Sequence, residues 1–273
     1  MIDTHRGICH ICGKEDELTF EHIPPRKAFN WHRAKIYNGY EALSKSQGEP
    51  ARYDNSQQGM GKYSLCQSCN NNTGTWYAQA YCDFAMDVIH SLHNNDPLEH
   101  GDIVTYRFKD CPLLQIAKQI VAMFCSLLPY PEVKRLGFDK LLLDKESNYV
   151  NSELFDLKMY LTSPENGQIM CGPTAVLYKK GNSIETVWVA DLGAYPFGFI
   201  LNLTPEIPVN YGESIMDMFN VKYDDKCEFN LSLMYLERRN NALPLPLMFK
   251  ELPKKIRKVN QKPHRSVLLG TAL

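Results

Sequence analysis

Apolar positions recur at three-and-four spacing over residues 76–92, where Ala78, Tyr81, Ala85, Val88, Ile89 and Leu92 predict one buried face of a helix. A second run of this kind, Leu113, Ile116, Ala117, Ile120, Val121, Phe124 and Leu128, predicts a helix over 113–128. Asp110 or Cys111 can cap it, Pro112 suits its first turn, and Pro129 and Pro131 end it. Past residue 150 the period shortens to two. Residues 155–161, 185–189 and 229–233 alternate apolar with polar and predict strands, and Lys180-Gly181-Asn182-Ser183 predicts a hairpin turn. Near the N terminus, Leu18-Thr19-Phe20 has strand character and predicts one arm of a short hairpin. The expected fold class is α+β, with about five mostly antiparallel strands in the C-terminal part and the 113–128 helix packed on one face.

A polar stretch with a helix-breaking proline, His93 to Asp102, marks the clearest boundary. It divides the chain into a first module over about residues 1–95 and an α+β domain over 100–273. Neither repeats nor low-complexity tracts interrupt this division. The 273 residues carry a net charge of −1, so any hold on a polyanion has to come from local patches. There is no charged-then-apolar leader and no apolar run of membrane-spanning length. Nine cysteines are present, and five of them (Cys82, Cys111, Cys125, Cys171, Cys227) stand alone, as small buried hydrophobes do. A reducing cytoplasm is the expected setting, with no membrane partner.

The other four cysteines form two Cys-x-x-Cys pairs, Cys9/Cys12 and Cys66/Cys69. Four thiolates in two such pairs can close a tetrahedral zinc site, each pair giving two ligands from one tight turn. The stretch between the pairs is longer than the usual ribbon gap of about 15–20 residues, so the metal would pin a sizeable insertion. That closure carries Glu21-His22 and Asn70 into one neighbourhood. A carboxylate, an imidazole and an amide gathered there can bind a divalent cation and activate a water, which outlines a phosphodiesterase site.

Three segments carry a family resemblance: Cys9-x-x-Cys12-Gly13, then Leu18-Thr19-Phe20-Glu21-His22-Ile23-Pro24-Pro25, then Leu65-Cys66-x-x-Cys69-Asn70. Together they resemble the HNH endonucleases, the ββα-metal class, and the Glu-His-Ile-Pro-Pro form resembles a bacterial subgroup found near mobile elements and phage defence. The match covers about the first quarter of the chain. The resemblance implies a zinc-stabilised ββα-metal domain in which His22 is the general base. Glu21 is then the acidic ligand and Asn70 a second ligand of a catalytic Mg²⁺ or Mn²⁺. Cys9, Cys12, Cys66 and Cys69 hold a structural Zn²⁺. It implies hydrolysis of phosphodiester bonds, most naturally in double-stranded DNA. Two positions depart from the family pattern. Gly61 stands where an asparagine ordinarily orients the base, and Gly74 stands where a further ligand often follows Asn70. Asn55 or another residue of the insertion could replace the first, and Asn71, Asn72 or water the second.

The insertion between His22 and Cys66 holds Arg26, Lys27, Arg33, Lys35, Lys45, Arg52 and Lys62 against Glu41, Glu49 and Asp54. Trp31, His32, Tyr37 and Tyr40 are interleaved with these charges. Such a segment could grip a nucleic-acid backbone, with Arg26, Lys27, Arg33, Lys35 and Lys62 as candidate contacts, or it is a solvated loop over the zinc knuckle. Trp76 and Tyr77 read as core. The cations from Lys250 to Arg265, with Glu251 alone against them, either track a phosphate backbone or form a solvated tail. The glycine departures favour a second reading, a catalytically degenerate zinc module that binds nucleic acid or protein. The C-terminal half carries no catalytic constellation and could sense a ligand or dock a protein partner, as in an antiviral effector.

Overall fold

The structure is a computed structural model, and it describes residues 5–31, 33–38, 52–93, 97–163, 168–180, 183–209, 212–236, 248–250 and 268–270. Lys45 and the cations between residues 251 and 265 lie outside the described residues.

The first three-stranded sheet is built from β1 (Arg6–Ile8), β2 (Glu15–His22) and, after the insertion, β5 (Gly61–Cys66), in the order β1-β2-β5. Both pairings are antiparallel. The insertion supplies β3 (Ala34–Asn38) and β4 (Tyr53–Ser56), which pair with each other. Helix α1 (Gln67–Trp76) starts at the end of β5, and α2 (Ala78–His93) follows after Tyr77. Beyond these come β6 (Ile103–Cys111), α3 (Leu113–Cys125), α4 (Tyr130–Arg135) and α5 (Phe138–Leu143). The remaining strands are β7 (Asp156–Thr162), β8 (Gln168–Lys180), β9 (Ser183–Ala194), β10 (Phe197–Asn202) and β11 (Glu213–Ser214). After a 3-10 turn at Met216–Phe219 come β12 (Cys227–Leu236), β13 (Met248–Lys250) and β14 (Leu268–Gly270).

The larger sheet has eleven strands, in the order β14-β6-β12-β7-β10-β9-β8-β13-β3-β4, with β11 beside β7. Every pairing in it is antiparallel except β12 with β7. The chain is thus mixed α+β with mostly antiparallel sheets, as its pattern predicts. The sheet has more strands than the expected five or so, for two physical reasons. β10 is buried at every position, so its sequence shows no alternation. In β8 a register shift between Cys171 and Thr174 breaks the period-two pattern of a strand that otherwise pairs along its whole length with β9. The hairpin turn predicted at 180–183 falls between Lys180 and Ser183, which pair, while its two central residues lie outside the described residues.

Helix α3 has buried residues around its whole circumference, including Lys118 and Gln119, as expected of a helix inside a core. Its N-cap is Pro112, without a side-chain cap, rather than Asp110 or Cys111. Those two residues belong to β6, and Asp110 takes a left-handed backbone with φ of 52°. Lys118 is fully buried, and its ammonium donates to the carbonyls of Asp144 and Lys145 at 2.8 Å each, closing the C-terminal end of α5. Desolvation pulls this ammonium down to about 8, partly opposed by Asp144 and Glu146. Tyr77, predicted as core, is fully buried and donates to the carbonyl of Leu142.

A single hydrophobic cluster joins Cys9, Ile11, Cys66 and Cys69 to α2, to α3 and to inner residues of β7, β10 and β12. Two polar contacts, one from the first cysteine turn and one from β5, reach the end of α3. His10 Nδ1 lies 3.0 Å from the carbonyl of Cys125, and Ser64 Oγ donates to Ser126 Oγ at 2.8 Å. No helix among the described residues is long and apolar enough to cross a membrane.

Candidate metal centre and active site

The strand ends deliver four sulfurs to one point. Cys9 and Cys12 sit in the turn between β1 and β2, closed by the Cys9 N–H to the Lys14 carbonyl and the Gly13 N–H to the Cys9 carbonyl. Gly13 has φ of 71°, and a Cβ there would lie 2.2 Å from the Tyr130 ring, so both the turn and the close approach of α4 require glycine. Cys66 ends β5 and Cys69 lies in the first turn of α1. The ligand atoms of all four residues lie within 4.8 Å of one another. Cys12 and Cys66 sulfurs are 3.8 Å apart. A tetrahedron with Zn–S bonds of about 2.3 Å has edges of about 3.8 Å, which the Cys12–Cys66 spacing matches, so the cluster could hold a zinc ion.

The electrostatics agree with that fit. A hydrogen bond from Cys69, with backbone donors at Cys12, Cys66 and Ile11, pulls the Cys9 thiol down to about 4 against its burial. Its thiolate in turn pushes the Cys69 thiol up, and burial pushes Cys12 up. Four clustered thiols cannot all ionise without a cation between them, and a divalent soft metal removes that conflict.

The sheet beside this cluster holds the predicted catalytic residues. In the β2–β5 ladder Thr19 pairs with Leu65, Phe20 with Tyr63, Glu21 with Lys62 and His22 with Gly61, so Ser64 is the extra residue of a bulge. Asn70, in the first half of α1, donates from Nδ2 to Thr19 Oγ1 at 2.9 Å and to the Phe20 carbonyl at 3.3 Å. Thr19 spends its own proton on the Leu65 carbonyl. Both partners of Nδ2 are therefore acceptors, which fixes the amide orientation and leaves Oδ1 as the end that can meet a cation. Thr19 and Glu21 share one strand face by alternation. Glu21 is only 7% exposed. Burial pushes its carboxyl up to about 8, and among the described residues no cation offsets the desolvation. A buried carboxylate and a fixed amide oxygen are ligand types that suit a hard divalent ion, which would restore the charge balance.

His22 ends β2, and its ring meets the edge of Phe20 at 5.1 Å between centroids. At Gly61, opposite His22, a Cβ would lie 2.0 Å from the Glu21 carbonyl and 2.7 Å from the Phe20 ring. No side chain fits there, so no base-orienting asparagine can occupy that place. Asn55 lies exposed on β4, paired with Lys35. The residue that does act on this end of the hairpin is Asn30, fully buried, whose Nδ2 donates to the carbonyls of Pro24 and Met60 while Oδ1 accepts from the Met60 N–H. The Ile23 N–H also donates to the Met60 carbonyl. Asn30 thereby latches the chain after His22 to the chain before Gly61. Nothing in its sequence context signals this, beyond its lying in the insertion.

The two glycine departures are structurally unlike, and opposite outcomes follow for alanine. Gly61→Ala is expected to cost about 1–3 kcal/mol by forcing the β2 backbone away, with Glu21 carried along. A Cβ at Gly74 meets nothing within 4 Å, so Gly74→Ala is expected to be neutral or to stabilise α1 by up to about 1 kcal/mol. Thermal denaturation of the two variants checks the pair.

Of the candidate phosphate contacts, Arg26, Lys27 and Arg33 are exposed, and Lys27 donates to Gln79 Oε1 at 3.1 Å. Lys62 is exposed on β5 across from Glu21, and Lys35 lies on β3 at the far side of the larger sheet. The insertion is therefore not one loop over the zinc turn, since β3 and β4 form an edge of the larger sheet.

These features define an α+β chain with a four-cysteine cluster that could hold zinc; Glu21 shares the buried face of β2 with Thr19, to which Asn70 is bonded, while His22, at the strand end, lies with Phe20 on the opposite, solvent-facing side. No family model, curated protein or solved structure matches the chain.

Proposed function

We propose that this chain is a metal-dependent endonuclease of the HNH, ββα-metal, class, cutting phosphodiester bonds in double-stranded DNA. The observation that carries the reading is the Asn70 amide fixed on Thr19 and the Phe20 carbonyl, together with the buried, charge-starved Glu21 on the same strand; His22 ends that strand and has to turn its imidazole toward the same centre. Strand β2, strand β5 and helix α1 supply the ββα element, with Zn²⁺ on the four sulfurs as its clamp. Mg²⁺ or Mn²⁺ on Glu21 and Asn70 Oδ1 would neutralise charge growing on the phosphate and the leaving oxygen. His22 takes the proton from the attacking water, and Phe20 and the Asn30 latch hold its ring and backbone in place. Arg26, Lys27 and Lys62 offer phosphate contacts near the site. A role in defence against phage or mobile elements, with the C-terminal half binding a ligand or protein partner, fits this chemistry.

The experiment pairs metal binding with cleavage. Wild type is expected to bind one Mn²⁺ beyond its zinc, followed by electron paramagnetic resonance, and to nick supercoiled plasmid with Mg²⁺ or Mn²⁺. Glu21→Gln and Asn70→Ala are expected to weaken that Mn²⁺ at least tenfold and to lose nicking in parallel. DNA binding by wild type with no metal-dependent nicking would overturn the enzyme and leave the degenerate binding module.

A further inference from the structure

The outer face of the β1-β2-β5 sheet carries a continuous row of rings that the phosphodiester chemistry does not use. His5 stacks on Tyr63 with centroids 3.5 Å apart and planes 20° from parallel. Tyr63 meets Phe20 edge-on at 5.4 Å, and Phe20 meets His22 edge-on at 5.1 Å. The row thus crosses from the start of β1 over β5 to β2 and ends on His22. It is open to solvent: His5 is exposed, Tyr63 is 41% exposed, and Phe20 and His22 are half-buried. Core aromatics in this chain behave differently, since Tyr77, Tyr81 and Tyr106 are fully buried. Leaving a phenol and an imidazole stacked in water forgoes most of the burial that aromatic side chains normally contribute.

Why these rings stay exposed follows from the strand pairing. Phe20 lies opposite Tyr63, and the bulge at Ser64 sends the next residues of β5 inward to Ser126 and the core. Gly61, held without a side chain by the Glu21 carbonyl, leaves room for the Phe20 ring, whose outer atoms approach to where a Cβ would stand. The surface is therefore aromatic, one stacked pair followed by two edge-on contacts, where aliphatic side chains would be expected for protein docking. The exposed face of the His5–Tyr63 stack, with ring edges beside it, suits a planar, polar-edged heterocycle. Continuity with His22 says which one: a base attached to the nucleotide whose phosphate His22 faces.

We infer that the row His5–Tyr63–Phe20–His22 is a stacking surface for an unpaired nucleobase next to the bond to be cut. The inference rests on the nuclease reading and narrows its substrate to duplex DNA with a base out of the helix near the cleavage point, as at a mismatch, bulge or frayed end. Base stacking on an aromatic side chain is sequence-tolerant, so the row selects for an unpaired base rather than for a sequence.

The test reads binding without cleavage. Fluorescence anisotropy with a labelled oligothymidylate is compared with an abasic oligonucleotide of the same length, in low salt without Mg²⁺ or Mn²⁺. Wild type is expected to prefer the base-bearing strand by about tenfold, the effect of one stacked base. Tyr63→Leu and His5→Ala are expected to abolish the preference while keeping the abasic affinity, and Tyr63→Trp to retain it. His5→Ala removes only an exposed ring at the end of the row, so it keeps the test independent of folding. Equal wild-type affinity for the two strands, absence of binding to both, or an unchanged preference in His5→Ala and Tyr63→Leu would each overturn the inference. Stacking without any plasmid nicking would sink the nuclease reading alone, and nicking without base preference would sink the stacking surface alone.

Discussion

Removing zinc from the four cysteines, or replacing Cys66 with serine, is expected to melt the β1-β2-β5 sheet and lower the thermal midpoint of the protein by about 10 °C or more. Structural zinc in small modules supplies about 10–16 kcal/mol, which rivals the whole stability of an ordinary domain at about 5–15 kcal/mol. Beyond the cluster they share and the Asn30 and Asn70 hydrogen bonds, the regular structure that joins the two halves of this element is short. β1 is three residues long, β2 and β5 pair through a bulge, and α1 is rich in poor helix formers. Without a cation, the cluster would keep at most the Cys9 thiolate, held only by hydrogen bonds and with no counter-charge in a buried setting. Because Cys9, Ile11, Cys66 and Cys69 belong to the same hydrophobic cluster as α3, loss of the clamp is expected to reach beyond residue 95. Elemental analysis should find one zinc per chain, and circular dichroism with a strong chelator should follow the unfolding. A zinc-free preparation with an unchanged midpoint would refute the clamp.

The cysteine clamp was legible in the sequence because ligand spacing is a local property, set by two short turns. Glu21, His22 and Asn70 stand out as candidates in the sequence for a related reason, since each sits near a cysteine pair or on the short strand beside it. The rest depended on non-local packing. Helix α1, with three asparagines, two threonines and a glycine in its ten residues, has no apolar period to detect and is set by the Cys69 tether and the Thr73 hydroxyl on the Cys69 carbonyl. Strand β10, buried throughout and apolar up to Asn202, gives no alternation. The Asn30 latch joins positions thirty residues apart, and the Gly61 contact is a cross-strand clash. The row of rings joins His5 to Tyr63 through strand pairing, and neither residue has a local signature.

Replacing His22 with alanine is expected to lower the rate of DNA cleavage by about 10²- to 10⁴-fold while leaving zinc content, Mn²⁺ binding and the thermal midpoint nearly unchanged. The separation of effects follows from where the ring sits. His22 is the last residue of β2, half-buried, with its backbone held through Ile23 and Met60 and its ring against the edge of Phe20. Truncation there creates no cavity in the main cluster, so the stability change should stay within about 1 kcal/mol. Glu21→Gln tells a different story. It keeps the shape of a 7%-exposed side chain but removes the charge that a cation needs, so it should lower Mn²⁺ affinity as well as rate. A proton-transfer role also predicts partial recovery of His22→Ala by added imidazole, which a purely structural histidine would not show. Single-turnover nicking of supercoiled plasmid at saturating Mg²⁺ separates these outcomes, because it reads the chemical step after metal and DNA are bound. Cleavage by His22→Ala within about threefold of wild type, at equal zinc content, would remove His22 from the reaction and leave Glu21 and Asn70 as a cation site without a base.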